Sequence, residues 1–131
     1  MTIPNGSELV VVDSSGWVEF MAGGPKADAY GEYLQLTLNL LVPSIVVYEV
    51  YKKLFREEGR HLAEIFYSQV LGVSERLIPL DGDLSVLASR TSLELRLPMA
   101  DAIIYTTARR YDAQLITSDA HFANLPGVTI L

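Results

Sequence analysis

Short apolar stretches rich in β-branched residues alternate with amphipathic helical patterns along this chain. That alternation predicts an α/β fold, a three-layer α/β/α sandwich around a central, mostly parallel sheet. Two further observations agree. Half of the 131 residues are hydrophobic and the mean hydropathy is +0.25, enough apolar material for one core. Breaks at Gly23-Gly24-Pro25, Gly59, Gly72, Pro98 and Pro126-Gly127 divide the chain into strand- and helix-sized pieces. Residues 1–131 are therefore expected to form a single domain.

The elements follow in order. Residues 8–12 end at Asp13 and read as a buried strand. Ser14 or Ser15 is the expected cap of a helix carrying Trp17, Val18, Phe20 and Met21, stopped by Gly23-Gly24-Pro25. A second helix is predicted over residues 26–38, with Tyr30, Tyr33, Leu34 and Leu38 on one stripe. Residues 40–42 form a short strand, and Pro43-Ser44 opens a helix to Glu58 that Gly59 ends. Residues 61–71 are amphipathic, with Leu62, Ile65, Phe66 and Val70 inward. A strand over 76–80 precedes a helix over 83–95, with Leu84, Leu87, Ala88, Thr91 and Leu95 facing in. Pro98 marks the break before a helix over Met99–Arg110. Gln114–Thr117 and residues 128–131 are the last strands, the second entered through Pro126-Gly127.

Charge narrows the function classes. Ten Lys+Arg against sixteen Asp+Glu give a net charge of −6 and a pI near 4.8, which argues against nucleic-acid binding through a broad basic patch. It does not exclude an enzyme whose acids gather around metal ions. No apolar run reaches the ~18 residues that cross a bilayer, so no membrane partner is expected. Residues 1–7 carry no positive charge and do not read as a secretion signal. The lack of cysteine removes disulfides and thiolate metal sites and suits a reducing cytoplasm.

Four acids stand out against this background. Asp13 follows Val10-Val11-Val12 and Asp119 follows Leu115-Ile116-Thr117-Ser118, both at strand ends, where α/β sheets gather functional groups. Glu49 lies in an apolar helical stretch, and Asp101 opens the helix after Pro98. Each has a plain structural reading. Asp13 suits a helix cap, Asp101 a favourable place on the helix dipole, and Asp119 a turn; Glu49 can pair with Lys52 or Lys53. Brought to one sheet edge, four carboxylates about 5 Å apart would repel by roughly 3 kcal/mol per pair at an effective dielectric near 20. Such a cluster needs neutralising, and oxygen donors without cysteine select Mg²⁺ or Mn²⁺. Those ions serve phosphoryl chemistry.

Val-Val-Asp-Ser-Ser-Gly-Trp at 11–17, Pro-Ser-Ile-Val-Val-Tyr-Glu-Val at 43–50, Ala-Asp-Ala-Ile-Ile-Tyr at 100–105 and Leu-Ile-Thr-Ser-Asp-Ala-His-Phe at 115–122 resemble the PIN-domain ribonucleases. The nearest subgroup is the toxin of VapBC toxin–antitoxin pairs. The resemblance implies a Mg²⁺- or Mn²⁺-dependent endoribonuclease that hydrolyses RNA phosphodiesters by metal-activated water. It also implies inhibition by a cognate antitoxin and a homodimer. Carried over by position, it makes Asp13, Glu49, Asp101 and Asp119 the catalytic metal ligands, with Ser14 and Ser118 as supporting hydroxyls.

The remaining candidates are weaker. Lys52, Lys53 and Arg56 follow Glu49 along one helix and are placed to steer RNA phosphates, although a solvated helix face explains them equally. His121, in Asp-Ala-His-Phe, reads as a structural or surface residue, and the tyrosines fall mostly at core spacing. A phosphoacceptor domain built on Asp81 lacks the lysine it needs near the last strands. The other alternative is a catalytically silent module of the same fold. It would bind an antitoxin or RNA in a groove between the helices predicted at 30–38 and 61–71.

Overall fold

Three consecutive valines, Val10–Val12, form the central strand β1, and a computed structural model describes residues 9–36 and 38–131 around it. Glu8, predicted to start this strand, and residues 1–7, which do not read as a secretion signal, lie outside the described residues. The other strands are β2 (Leu40–Pro43), β3 (Leu77–Ile78), β4 (Gln114–Thr117) and β5 (Val128–Ile130). They make one parallel sheet in the order β3-β2-β1-β4-β5, with Val11 opposite both Leu41 and Leu115. Helices cover it: α1 (Ser14–Ala22), α2 (Ala27–Leu34), α3 (Ser44–Glu57), α4 (Arg60–Leu71), α5 (Gly82–Leu95) and α6 (Met99–Arg110).

The strand order explains the layers. From β1 the chain steps to β2 and then β3 in one direction, and crosses back to β4 on the other side of β1. Right-handed crossovers then put α1–α4 on one face and α5–α6 on the other. Helix neighbours agree: α1 packs on α2 and α3, α3 on α4, and α5 on α6. Val11, Val12, Leu41, Val42, Leu115 and Ile116 are wholly buried. Strands covered on both faces are apolar at every position, which is why these runs do not alternate.

Several predicted details shift. The cap of α1 is Asp13, not Ser14 or Ser15, which are its first two residues. Gly23 ends that helix at φ +70°, as the break predicted. The second helix stops at Leu34, because the chain must turn through Leu36 and Asn39 to enter β2; Leu38, expected inside, is 73% exposed. β3 is a two-residue edge strand, and Arg76 ends a 3-10 turn before it. On α4 the buried stripe is Ala63, Phe66 and Val70, leaving Leu62 half-buried and Ile65 exposed. On α5 only Leu84 and Ala88 are buried, while Leu87 and Leu95 are exposed, so this outer helix uses a narrower stripe than its composition implied.

Strand order reverses at β1: the chain leaves it through α1 and α2 towards β2, and β4, on its other side, is entered through α5 and α6. In such sheets the crevice at the carboxyl ends beside the reversal is the natural binding place. Asp13 and Asp119 stand there, after β1 and β4. Among the described residues no helix is long and apolar enough to cross a membrane.

Candidate functional site

Asp13 is placed by the end of β1 and the start of α1. Its Oδ1 accepts the Gly16 N–H at 2.8 Å, and its Oδ2 accepts the Thr117 hydroxyl at 2.6 Å and the Ser15 hydroxyl at 3.0 Å. Gly16 makes this cap possible. A Cβ there would lie 2.5 Å from the Tyr30 ring and 2.7 Å from the Val12 side chain, so a larger residue would push α1 off the core. Burial (the residue is 5% exposed) raises the Asp13 pKa, the three hydrogen bonds oppose that rise, and the charge of Asp119 adds to it.

Glu49 lies in the second turn of α3 and reaches across to α1, where its Oε1 accepts the Ser14 hydroxyl at 2.5 Å. Asp101 sits in the first turn of α6, and Asp119 caps the 3-10 turn Ala120–Phe122 by accepting the His121 N–H at 2.9 Å. All four carboxylates line one cleft of about 370 Å³, together with Ser14, Ser15, Lys52, Lys53 and Arg56. Residues distant in the chain converge because two strand ends and two helices face the same crevice.

The acids are not equally supplied with donors. Asp13 has three hydrogen bonds and Glu49 one, whereas Asp101 accepts none from any described residue. Its side chain is 25% exposed. Burial raises its pKa first, then the charges of Asp119 and Glu49, with His121 opposing and Asp13 adding. A half-buried carboxylate with no donor, facing three others, is a poor site for an anion alone and a good one for a cation. The donor set fits a hard divalent ion, being carboxylate oxygen without any thiolate.

Thr117 and Ser15, given no site role by the sequence, and His121, read there as a structural or surface residue, belong here, whereas Ser118 does not line the cleft. Thr117 bonds Asp13 and, through the same Oγ1, accepts the Asp119 N–H at 3.0 Å. Ser118 points the other way, sharing a 2.6 Å hydrogen bond with the Tyr30 hydroxyl, and does not line the cleft. Strand alternation accounts for both, since residues 117 and 119 share a side and 118 takes the opposite one. The period was legible in the chain. His121 brings its Nδ1 to 3.3 Å from Asp119 Oδ1 and 4.0 Å from Asp101 Oδ2. Among the described residues, Asp101, Asp119 and His121 form a group whose potential ligand atoms all lie within 4.8 Å of one another; Asp13 and Glu49 line the cleft without joining that group.

The cations on α3 flank the acids. Lys52 donates to the Tyr48 hydroxyl at 3.4 Å and lies 5.4 Å from its ring centre. Tyr48 is exposed in the cleft, against the core spacing expected of it, while Tyr30 and Tyr105 are buried. Arg56 pairs with Glu57 at 3.0 Å on the exposed surface. Asp81, the residue of the phosphoacceptor alternative, caps α5 by accepting the Leu84 N–H and does not line this cleft.

The likeness to known proteins agrees with this architecture. A toxin–antitoxin complex from Klebsiella pneumoniae superposes with a TM-score of 0.70 at 21% identity, over 92% of this chain and 95% of that one. The sarcin–ricin-loop-cleaving toxin VapC20 of Mycobacterium tuberculosis gives 0.72 at 19% identity, over 91% and 96%. VapBC2 of Rickettsia felis, bound to a fragment of its promoter DNA, gives 0.66 at 20% identity, over 94% and 97%. At such identities the likeness speaks for the fold. No curated protein matches the chain by sequence. The PIN domain profile matches residues 10–128, from the first valine of β1 into β5. That span takes in β1 to β4 whole, the first residue of β5 and all four acids, and the chain belongs to the PIN domain family.

Proposed function

We propose that this protein is a divalent-metal-dependent endoribonuclease, the toxin of a type II toxin–antitoxin pair. The observation that carries the reading is the cleft itself. Asp101, half-buried and with no hydrogen bond from a described residue, faces Asp119, Glu49 and Asp13 where the sheet order reverses. Asp13, Glu49, Asp101 and Asp119 hold Mg²⁺ or Mn²⁺ in this reading. When bound, the ion supplies water activation and neutralises charge on the scissile phosphate. Ser14 fixes the Glu49 carboxylate, and Thr117 and Ser15 fix that of Asp13. Lys52, Lys53 and Arg56 draw the RNA backbone to the cleft mouth, which a protein of net charge −6 needs locally.

The partners follow from the same reading. The toxin–antitoxin neighbours support a cognate antitoxin, and a groove of about 440 Å³ between α2 and α4, lined by Leu34, Gln35, Gln69 and Val73, is available to it. A homodimer needs an apolar face, and α5 with the start of α6 offers one, where Leu93, Met99 and Val86 are all exposed, Leu93 to 83%. Residues 1–131 act as one domain, in the cytoplasm. The test is cleavage of a structured RNA with Mg²⁺ or Mn²⁺, with EDTA, and with Asp13→Ala and Asp101→Ala. Cleavage that needs the ion and both aspartates is expected. Equal cleavage in EDTA or by the double variant would refute the proposal.

A further inference from the structure

The Asp-Ala-His-Phe turn is built more firmly than a surface loop requires. Asp119 caps it through the His121 N–H, and the Asp119 N–H is itself held by Thr117 Oγ1. Phe122, buried at the other end, packs 6.3 Å from the Tyr105 ring, and Tyr105 lies on α6 one turn beyond Asp101. The turn is thus tied to both elements that carry the neighbouring acids. The imidazole is exposed, yet its Nδ1 stands 3.3 Å from Asp119 Oδ1 and 4.0 Å from Asp101 Oδ2. Around an ion with bonds of about 2.1 Å, adjacent octahedral ligands are about 3.0 Å apart and opposite ones about 4.2 Å. The two distances from His121 Nδ1, 3.3 and 4.0 Å, fall within that range, and one potential ligand atom from each of the three residues lies within 4.8 Å of the others.

We propose that His121 is a protein ligand of the divalent ion held by Asp101 and Asp119, adding one imidazole nitrogen to a set of carboxylate oxygens. The consequence is selectivity. Imidazole suits the later first-row ions best and Mn²⁺, the weakest of that series, less, but Mg²⁺, which is not a transition ion, is served by oxygen alone. His121 therefore biases the cleft towards Mn²⁺ over Mg²⁺. Asp119 has lone pairs enough to hold the turn and the ion together, since each carboxylate oxygen offers two. This inference rests on the metal-site reading above and adds to it a nitrogen donor outside the four acids.

Pulsed electron paramagnetic resonance of Mn²⁺ bound to the whole protein tests it without any turnover. The chain has two histidines, so His61→Gln, on the exposed start of α4, serves as the control. A ¹⁴N coupling is expected in the wild type and in His61→Gln, and its loss in His121→Gln. Mn²⁺ affinity should fall at least about 10-fold in His121→Gln, with Mg²⁺ affinity within about 2-fold of wild type. The exposed imidazole can be replaced without disturbing the core. Mn²⁺ bound to the wild type with no nitrogen coupling, or an unchanged Mn²⁺/Mg²⁺ preference in His121→Gln, overturns the inference and leaves the carboxylate site intact. Failure of the wild type to bind Mn²⁺ at all overturns both.

Discussion

Asp13 and Asp101 line the same cleft and both titrate above the ordinary aspartate range, yet the fold treats them differently. Asp13 is wrapped by a backbone N–H and two hydroxyls and joins β1, α1 and β4. Asp101 receives no hydrogen bond from a described residue and meets other carboxylates and the His121 imidazole, whose Nδ1 is 4.0 Å away. The first acid holds the structure together whether or not an ion is present. Burial and the neighbouring carboxylates raise the pKa of the second, His121 opposes that rise, and no hydrogen bond from a described residue ties it to another element. One cleft thus combines an acid built into the fold by hydrogen bonds and one that described residues leave without them.

Exchanging the two aspartates should expose that difference. Asp101→Ala should lower RNA cleavage by more than about 100-fold, equivalent to about 2.7 kcal/mol of activation free energy, as measured by initial rates with Mn²⁺. Next in size, Mn²⁺ at about 100 times its Kd should stabilise the wild type by about 2.7 kcal/mol in thermal or urea unfolding, and Asp101→Asn should lose most of this. Asp13→Ala should destabilise the protein even in EDTA, by about 1–2 kcal/mol, because it removes the cap of α1. Asp101→Asn in EDTA should have the opposite sign. No difference in sign between these variants would end the distinction.

The pH dependence sharpens it further. A raised folded-state pKa means that the Asp101 contribution is fully present below the unfolded aspartate value, about 3.9, and is lost as pH rises through the folded value. In EDTA the advantage of Asp101→Asn over wild type should therefore be small near pH 4 and grow towards neutrality, as followed by melting temperature. The smallest expected effect lies at the cleft mouth. Lys53→Gln should reduce the dependence of log binding constant on log salt by about 0.7 for a single-stranded RNA. An unchanged slope would assign Lys53 to a solvated helix face.

Element types and their order were legible because burial on both faces leaves a strong mark. Val10–Val12 and Leu115–Ile116 are apolar at every position, and no helix pattern competes with them over so short a run. The α1 stop at Gly23 and the α6 start after Pro98 were legible from backbone chemistry alone. The inward faces of α4 and α5 were not. Leu62, Ile65 and Leu87 have the right residue type at helical spacing, but which of several apolar stripes is covered depends on the neighbouring helix. Leu38 was misplaced for a related reason, because a helix pattern says nothing of where the next strand must begin.

The sequence by itself determined the alternation of strands and helices, the ends of most of them, and the carboxylates that stand at strand ends and helix starts, because periodicity, turn chemistry and capping act over a few residues. Only the tertiary structure decided which acid is hydrogen-bonded by described residues and which is not, that Thr117 of β4 meets Asp13 at the end of β1, and that His121 stands beside Asp101 and Asp119. Those outcomes depend on strand register and helix packing between segments up to 104 residues apart. No local rule carries information over that distance.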